Sequence, residues 1–162
     1  MSDANVAYVK PRKISVISDV NDNGEKDITN RLSGGCLCGL VKFELDEDFK
    51  VFYQCHCKQC QSLTGSAFAS NLFTHPQNIS WLTGVDSIIL YEHPDQEYSK
   101  NFCKCCGSAV PFLNKQKTAL IVPAGSLKSK IGKIVPANIF MSEKACWSDF
   151  GLEGKSYEYF PE

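Results

Sequence analysis

The sequence has no long hydrophobic run, since no apolar stretch in its 162 residues approaches the roughly 18 residues of a membrane-spanning helix. It also has no excess of charge, because 17 Lys and Arg face 18 Asp and Glu and leave a net charge of −1. Proteins that bind nucleic acid directly usually carry a basic patch or stripe. The sequence therefore predicts no membrane partner and disfavours direct nucleic-acid binding.

The sequence also predicts no secretory or transit signal at its N-terminus. The first five residues contain no apolar signal core and no Arg-rich amphipathic pattern. We therefore expect a cytoplasmic protein, with the nucleus as the alternative. In these reducing compartments clustered cysteines are more often metal ligands than disulfides. The nine cysteines are also an odd number, which leaves at least one unpaired in any disulfide scheme.

The sequence contains no sustained 3.6-residue period and no internal repeat. Short stretches rich in β-branched and aromatic residues are instead separated by Gly, Pro, Asn and Asp, which is typical of a β sandwich or barrel-like sheet. The pattern predicts a mainly β fold with short helices, one of them over 58–64 and ended by Gly65. Strands are predicted over 40–45, 49–53, 67–73, 79–82, 87–92, 98–102, 109–113, 118–122 and 138–141.

The N-terminal segment differs in composition from the rest of the chain. We interpret residues 1–33 as an extension, either a tail or one added strand over 8–18. Within it, 19–24 resembles the first half of a calcium-binding loop, but Asn30 stands where the bidentate Glu is needed. A turn rich in Asn, Asp and Gly is therefore favoured over a calcium site. The main domain is predicted at 34–150 and a tail at 151–162.

The cysteines point to metal binding by their spacing. A C-x-x-C loop can turn both sulfurs toward one point about 2.3 Å from each, as tetrahedral zinc requires. A C-x-C pair and a distant C-x-x-C pair together offer four thiolates, a closed structural site. The central C-H-C-x-x-C cluster offers three and leaves one position open to water or substrate, as in catalytic zinc sites. We predict two zinc ions per chain, one held by Cys36, Cys38, Cys103 and Cys106, the other, catalytic, by Cys55, Cys57 and Cys60.

The chemistry of the open site is expected to involve thiols. Three thiolates neutralise the charge of the metal, so the site suits an external thiolate better than water activation. His56 could be a ligand, although an extended segment would point it to the opposite face. Cys105 is expected to face away, and Cys146 to be a small buried residue. All seven clustered thiols could alternatively serve one regulatory or storage cluster.

These segments resemble the glutathione-dependent formaldehyde-activating family, to which the centromere protein V type domain belongs. The matching segments are GGCLCG at 34–39, CHCKQC at 55–60, TGSAF at 64–68, FCKCCGS at 102–108, AGSL at 124–127 and SEKACW at 142–147. The resemblance implies an Mss4-like β fold with two zinc ions on the cysteines named above. Two positions depart from the family pattern: Asn138 stands where many members have His, and Cys146 where many have Pro.

The resemblance also implies an activity. The family's named reaction joins formaldehyde and glutathione into S-hydroxymethylglutathione, and it is classified with the carbon–sulfur lyases. We therefore expect a zinc enzyme acting on the adduct of a small aldehyde with glutathione or another thiol. The alternative is a zinc-stabilised binding module for a protein or chromatin partner. A redox enzyme like methionine sulfoxide reductase B is disfavoured, because its zinc uses two C-x-x-C pairs.

The two main alternatives predict different surfaces beside the central cysteines. An enzyme should have a pocket there, with cationic or backbone N–H groups for the two carboxylates of glutathione. A binding module should have that site closed or flat. Proximity in sequence to the cluster gives five candidates for the contacts: Lys58, Gln59, Ser62, Thr64 and Asn71.

Overall fold

Eleven short strands and one α-helix carry the part of the chain that the computed structural model describes, residues 31–149 and 154–161. The strands are β1 (Arg31–Gly35), β2 (Lys42–Asp46), β3 (Val51–Cys55), β4 (Ala69–Thr74), β5 (Ser80–Thr83), β6 (Ile88–Glu92), β7 (Ser99–Cys103), β8 (Ala109–Val110), β9 (Phe112–Leu113), β10 (Leu120–Pro123) and β11 (Ala137–Ile139), and the helix is α1 (Lys58–Thr64). Strands account for 37% and helices for 15% of these described residues, which confirms the predicted mainly β class. The strand predicted over 8–18 and the calcium-like turn lie outside the described residues.

The strands form three sheets, ordered β1-β2-β5, β11-β3-β4-β10-β9 and β6-β7-β8. All pairings are antiparallel except that of β11 with β3. This parallel pair places Ile139 opposite Cys55 and so brings a late segment of the chain beside the central cysteines. None of the described helices is long and apolar enough to cross a membrane.

The main core lies between the first sheet and the central sheet. In β2 the alternation of the pleat buries Phe43 and Leu45 and leaves Lys42 and Asp46 exposed. Burial of each large apolar side chain contributes about 1.5–3 kcal/mol. The buried members of this core are Leu32, Phe43, Leu45, Leu72, Leu120 and Val122.

The helix α1 has the predicted bounds and is held at both ends. Cys57 is the N-cap, and its Sγ accepts a hydrogen bond from the N–H of Cys60 at 3.4 Å. Gly65 ends the helix in the left-handed conformation, with φ of 60°, and its N–H donates to the carbonyl of Gln61 at 2.9 Å. A helix this short has little stability of its own, so these contacts and the tertiary packing maintain it.

The strand predicted over 109–113 is wrong as a single element. Pro111 divides it into β8, which pairs with β7, and β9, which pairs with β10 in another sheet. Proline has no N–H to continue a ladder, so the chain changes sheets at this residue. The carbonyl of Pro111 accepts a hydrogen bond from the side-chain Nδ2 of Asn101 at 2.9 Å.

One strand was not predicted. β1 begins at Arg31 and spans the predicted domain boundary at residue 34. The other predicted strands appear with ends shifted by about two residues or fewer, as different assignments of one element often are. The division of the chain into an extension, a domain and a tail stays a prediction.

Candidate metal centres and the cleft beside them

Four thiols from two distant loops meet at one point, and we call them the closed cluster. They are Cys36, Cys38, Cys103 and Cys106, and their Sγ atoms all lie within 4.8 Å of one another. Cys38 Sγ lies 3.5 Å from Cys36 Sγ and 3.9 Å from Cys103 Sγ. Four sulfurs at about 2.3 Å from a tetrahedral zinc would be about 3.8 Å apart, so the four thiols fit such an ion.

Two glycine-closed turns present these sulfurs. Gly39, with φ of 76°, donates its N–H to the carbonyl of Cys36 at 3.1 Å. Gly107 does the same to the carbonyl of Cys103 at 2.8 Å. The N–H of Val41 also donates to Cys36 Sγ at 3.3 Å, which favours the thiolate at this buried position.

Ser108 joins the two turns and was not predicted to have a role. Its Oγ accepts a hydrogen bond from the N–H of Leu37 at 3.0 Å and lies 3.3 Å from Cys106 Sγ. The hydroxyl hydrogen is then free to point at the sulfur, and this contact lowers the pKa of Cys106 to about 5. Ser108 therefore favours the thiolate that a metal ion requires.

Three thiols around the start of α1 form a second group, the open cluster. Cys55, Cys57 and Cys60 also have Sγ atoms within 4.8 Å of one another, and those of Cys55 and Cys57 are 3.5 Å apart. Burial raises the pKa of Cys55 and of Cys60, so these thiols resist ionisation on their own. A bound cation reverses that preference, because metal ions take the deprotonated sulfur. The open cluster could therefore hold a metal ion with three protein ligands.

The three other candidates lie outside both clusters. His56 is buried, with Nε2 3.0 Å from Asn138 Oδ1 and its ring centroid 5.0 Å from that of Phe68. Asn138, which departs from the family pattern, thus contacts the histidine of the central motif. Cys105 is exposed. Cys146 is exposed as well, so the expectation that it would be buried is wrong.

Hydrogen bonds of Glu143 connect the segment after β11 to α1. Its side-chain Oε2 accepts from the N–H of Lys58 at 2.8 Å, and its carbonyl accepts from Gln61 Nε2 at 2.9 Å. The N–H of Glu143 donates in turn to the carbonyl of Phe140 at 3.1 Å. Phe140 has a φ of 58°, in the left-handed region, which is uncommon for a residue other than glycine.

A cleft of about 530 Å³ opens beside the open cluster. Small-molecule sites typically have volumes of roughly 300–1,000 Å³. All three thiols of the open cluster line it. Of the five contact candidates from sequence, Gln59, Thr64 and Asn71 line the cleft, whereas Lys58 and Ser62 are not among its lining residues.

Two lysines that sequence reasoning missed also line the cleft. Lys100 Nζ donates to the carbonyl of Leu63, near the end of α1, at 2.7 Å. Lys115 Nζ donates to the carbonyl of His93, also at 2.7 Å. Burial lowers the pKa of Lys100, and the nearby Cys60 opposes that effect. Each ammonium has three N–H donors, so further donors remain for a ligand.

Tyr98 also lines the cleft and brings a hydroxyl group to it. It precedes Lys100 by two positions, and residues so spaced on an extended segment face the same side. Burial, with the nearby thiols of the open cluster, raises the pKa of Tyr98, so the phenol keeps its proton. The alternation was a signal that the two side chains share a face. Nothing in the sequence placed that face beside the cysteines.

The comparisons with known proteins agree with this architecture. A crystal structure of a Rhodobacter sphaeroides protein is 18% identical, with a TM-score of 0.52 over 65% of this chain and 99% of that chain. Its likeness shows the fold alone. The family model described as "Glutathione-dependent formaldehyde-activating enzyme" matches residues 31–143, a span that contains both cysteine clusters. The chain therefore belongs to the glutathione-dependent formaldehyde-activating enzyme family.

Proposed function

We propose that the protein is a zinc enzyme of the carbon–sulfur lyase type, which joins a thiol to a small aldehyde and separates them again. Glutathione and formaldehyde are the pair named by its family. The observation that carries the proposal is the cleft on the open cluster. A pocket there is what an enzyme requires, and a binding module would have that surface closed or flat.

Each cluster holds one zinc ion in this proposal. The closed cluster has four thiols and no free position, so its ion is structural. The open cluster has three thiols, so zinc held there would leave one position for an incoming thiol. Contact with the zinc ion would lower the pKa of that thiol. The enzyme works in the cytoplasm, where thiols stay reduced.

The lysines of the cleft wall would bind the acidic groups of the substrate. Glutathione carries two carboxylates at neutral pH, and Lys100 and Lys115 supply two cations on the lining. Hydrogen bonds between an ammonium and a carboxylate are stronger than neutral ones, so these contacts orient the thiol toward the cysteines. The amides of Gln59 and Asn71 add neutral donors and acceptors.

The hydroxyl group of Tyr98 is suited to bind the carbonyl oxygen of the aldehyde. When the sulfur bonds to the carbonyl carbon, the C=O electron pair moves to oxygen, which then takes the proton that the thiol has lost. The product is a hemithioacetal, and atoms and charge balance without an oxidant. The phenol hydroxyl of Tyr98 can donate a hydrogen bond to the oxygen as its charge develops.

The proposal is tested with zinc-loaded protein. Native mass spectrometry should count two zinc ions, and NMR exchange spectroscopy should show hemithioacetal formation from glutathione and formaldehyde faster than the spontaneous reaction. Cys57→Ser should lose one zinc and the acceleration, yet keep the fold, because serine is also a good N-cap for α1. A two-zinc protein that accelerates hemithioacetal formation with no aldehyde would contradict the proposal.

A further inference from the structure

The central sheet has two apolar faces, and only one of them belongs to the main core. Leu72 and Leu120 point into that core. Their neighbours in sequence, Phe73 and Ile121, point to the opposite face and are directly paired across β4 and β10. Ile121 is paired on its other side with Phe112 of β9. An antiparallel sheet with one solvated face normally alternates apolar and polar residues, so this second face needs an apolar partner.

The residues of that second face, Phe73, Phe112 and Ile121, line the cleft, and we call this surface the aromatic wall. Tyr53 of β3 extends it, with its ring centroid 5.4 Å from that of Phe73. The aromatic residues that line the cleft are Tyr53, Phe68, Phe73, Tyr98, Phe112 and Phe140. In formaldehyde the carbonyl carbon carries only hydrogen atoms, so such a wall has nothing of that aldehyde to bind.

Phe140 lies where the cleft meets solvent, with 56% of its surface exposed. Its left-handed backbone is held by Glu143, which is fastened to α1. Uncommon conformations of this kind persist where the surrounding structure fixes them and are concentrated at ligand sites. The backbone that carries the ring is therefore held in place, and the ring has apolar surface left to bury.

We infer that the cleft takes thiol adducts of aldehydes that carry a bulky apolar or aromatic substituent, in preference to the adduct of formaldehyde. The substituent packs on the aromatic wall while the sulfur points at the open cluster. The inference rests on the proposed function and uses the same balanced addition of the thiol to the carbonyl carbon. Each buried methylene changes an equilibrium about fourfold, so a benzyl-sized group should favour binding more than about tenfold.

The test compares formaldehyde with phenylacetaldehyde. For each aldehyde, NMR exchange spectroscopy measures hemithioacetal formation with glutathione on two-zinc protein, divided by the spontaneous rate. We expect this ratio to be at least about tenfold higher for phenylacetaldehyde. Phe140→Asn removes the ring but suits the left-handed backbone, and it should reduce that preference several-fold. Ile121→Thr, which keeps the branched shape and adds a hydroxyl to the wall, should do the same.

The control is Leu82→Ala, because Leu82 is 53% exposed and lies on β5, away from the cleft lining. It should leave the preference as it is. Acceleration of the formaldehyde reaction alone would overturn the inference and leave the proposed function intact. Acceleration of neither would overturn both. A preference that survives Phe140→Asn and Ile121→Thr unchanged would overturn the role of the aromatic wall.

Discussion

Ser108 shows how much one small side chain contributes to the closed cluster. A single Oγ contacts Leu37 in one turn and Cys106 in the other, so the hydroxyl links the loops of the two cysteine pairs. The sequence showed the cysteines but not this link, because a serine near a cysteine is too common to be informative. The contact became visible only through the folded positions of two loops.

Removal of a thiol from the closed cluster should unfold the domain. Structural zinc contributes roughly 10–16 kcal/mol in small zinc domains, which exceeds the total stability of many proteins. We therefore expect Cys103→Ser to lose the structural zinc and its cooperative thermal transition, as measured by native mass spectrometry and circular dichroism. Cys105→Ser is the matched control, because Cys105 is exposed and outside the cluster. Equal melting temperatures for the two variants would contradict a structural role.

The charge of Lys100 should matter only for thiols that carry carboxylates. Hydrogen bonds to charged groups contribute about 1.5–3 kcal/mol, so Lys100→Gln should weaken glutathione binding roughly 10- to 100-fold, as measured by calorimetry. Binding of 2-mercaptoethanol, which has no carboxylate, should stay nearly constant. Lys42→Gln, on the exposed side of β2, is the control.

Lys100 should also make glutathione binding depend on pH. Burial lowers the pKa of Lys100 from its ordinary value. Its cation is present below that pKa and is lost as the pH rises through it, so glutathione binding should weaken at a lower pH than for a free lysine. Lys100→Gln should remove this part of the pH profile. A profile shared by the variant and the parent would assign the titration to another group.

At the scale of elements, β1 depends on the absence of a side chain at Gly34. A Cβ built there would overlap the ring of Phe43, its partner on β2. Overpacking in a close-packed core costs about 1–3 kcal/mol, so Gly34→Ala should lower the free energy of unfolding by that amount in urea. Gly125→Ala is the control, because a Cβ at Gly125 meets nothing within 4 Å. Equal effects of the two variants would show that the close approach is not what matters.

The elements differ in how well the sequence could predict them. α1 was predicted correctly because the stretch 58–64 contains no Pro or Gly and its terminal glycine is a local signal. The break at Pro111 was missed because five residues of good strand composition read as one element, although the proline itself was the available signal. β1 was missed because Gly34 and Gly35 have low strand propensity, and its pairing with β2 overrides that preference.

The candidate site also has some features that the sequence could predict and others that it could not. The two cysteine clusters were predicted because their cysteines come in two pairs and a triplet with short spacings. The lysines, Tyr98 and the aromatic wall depend on which strands lie side by side, and that register is not encoded in any short stretch. The cleft agrees with the surface expected of an enzyme rather than of a binding module, while most of its lining could not be predicted from the sequence.

At the scale of the whole molecule, the two clusters should respond differently to a chelator. In the proposed two-zinc protein, the closed cluster would hold its ion with four thiols from two loops, and the open cluster would hold its own with three thiols beside a cleft. Graded treatment with a chelator should therefore give a folded one-zinc species that lacks activity, before the second loss unfolds the domain. Native mass spectrometry with circular dichroism measures both. Simultaneous loss of both ions would contradict distinct roles.

Glu143 has a further consequence, for the order of events during synthesis. The residue that contacts the first N–H of α1 is 85 positions further along the chain. The neighbour of Cys55 on β11 comes almost as late. A ribosome therefore translates all three thiols of the open cluster long before the segment that fixes their surroundings. The surroundings of these three sulfurs are therefore complete only after Glu143 has been translated and has reached the first N–H of α1.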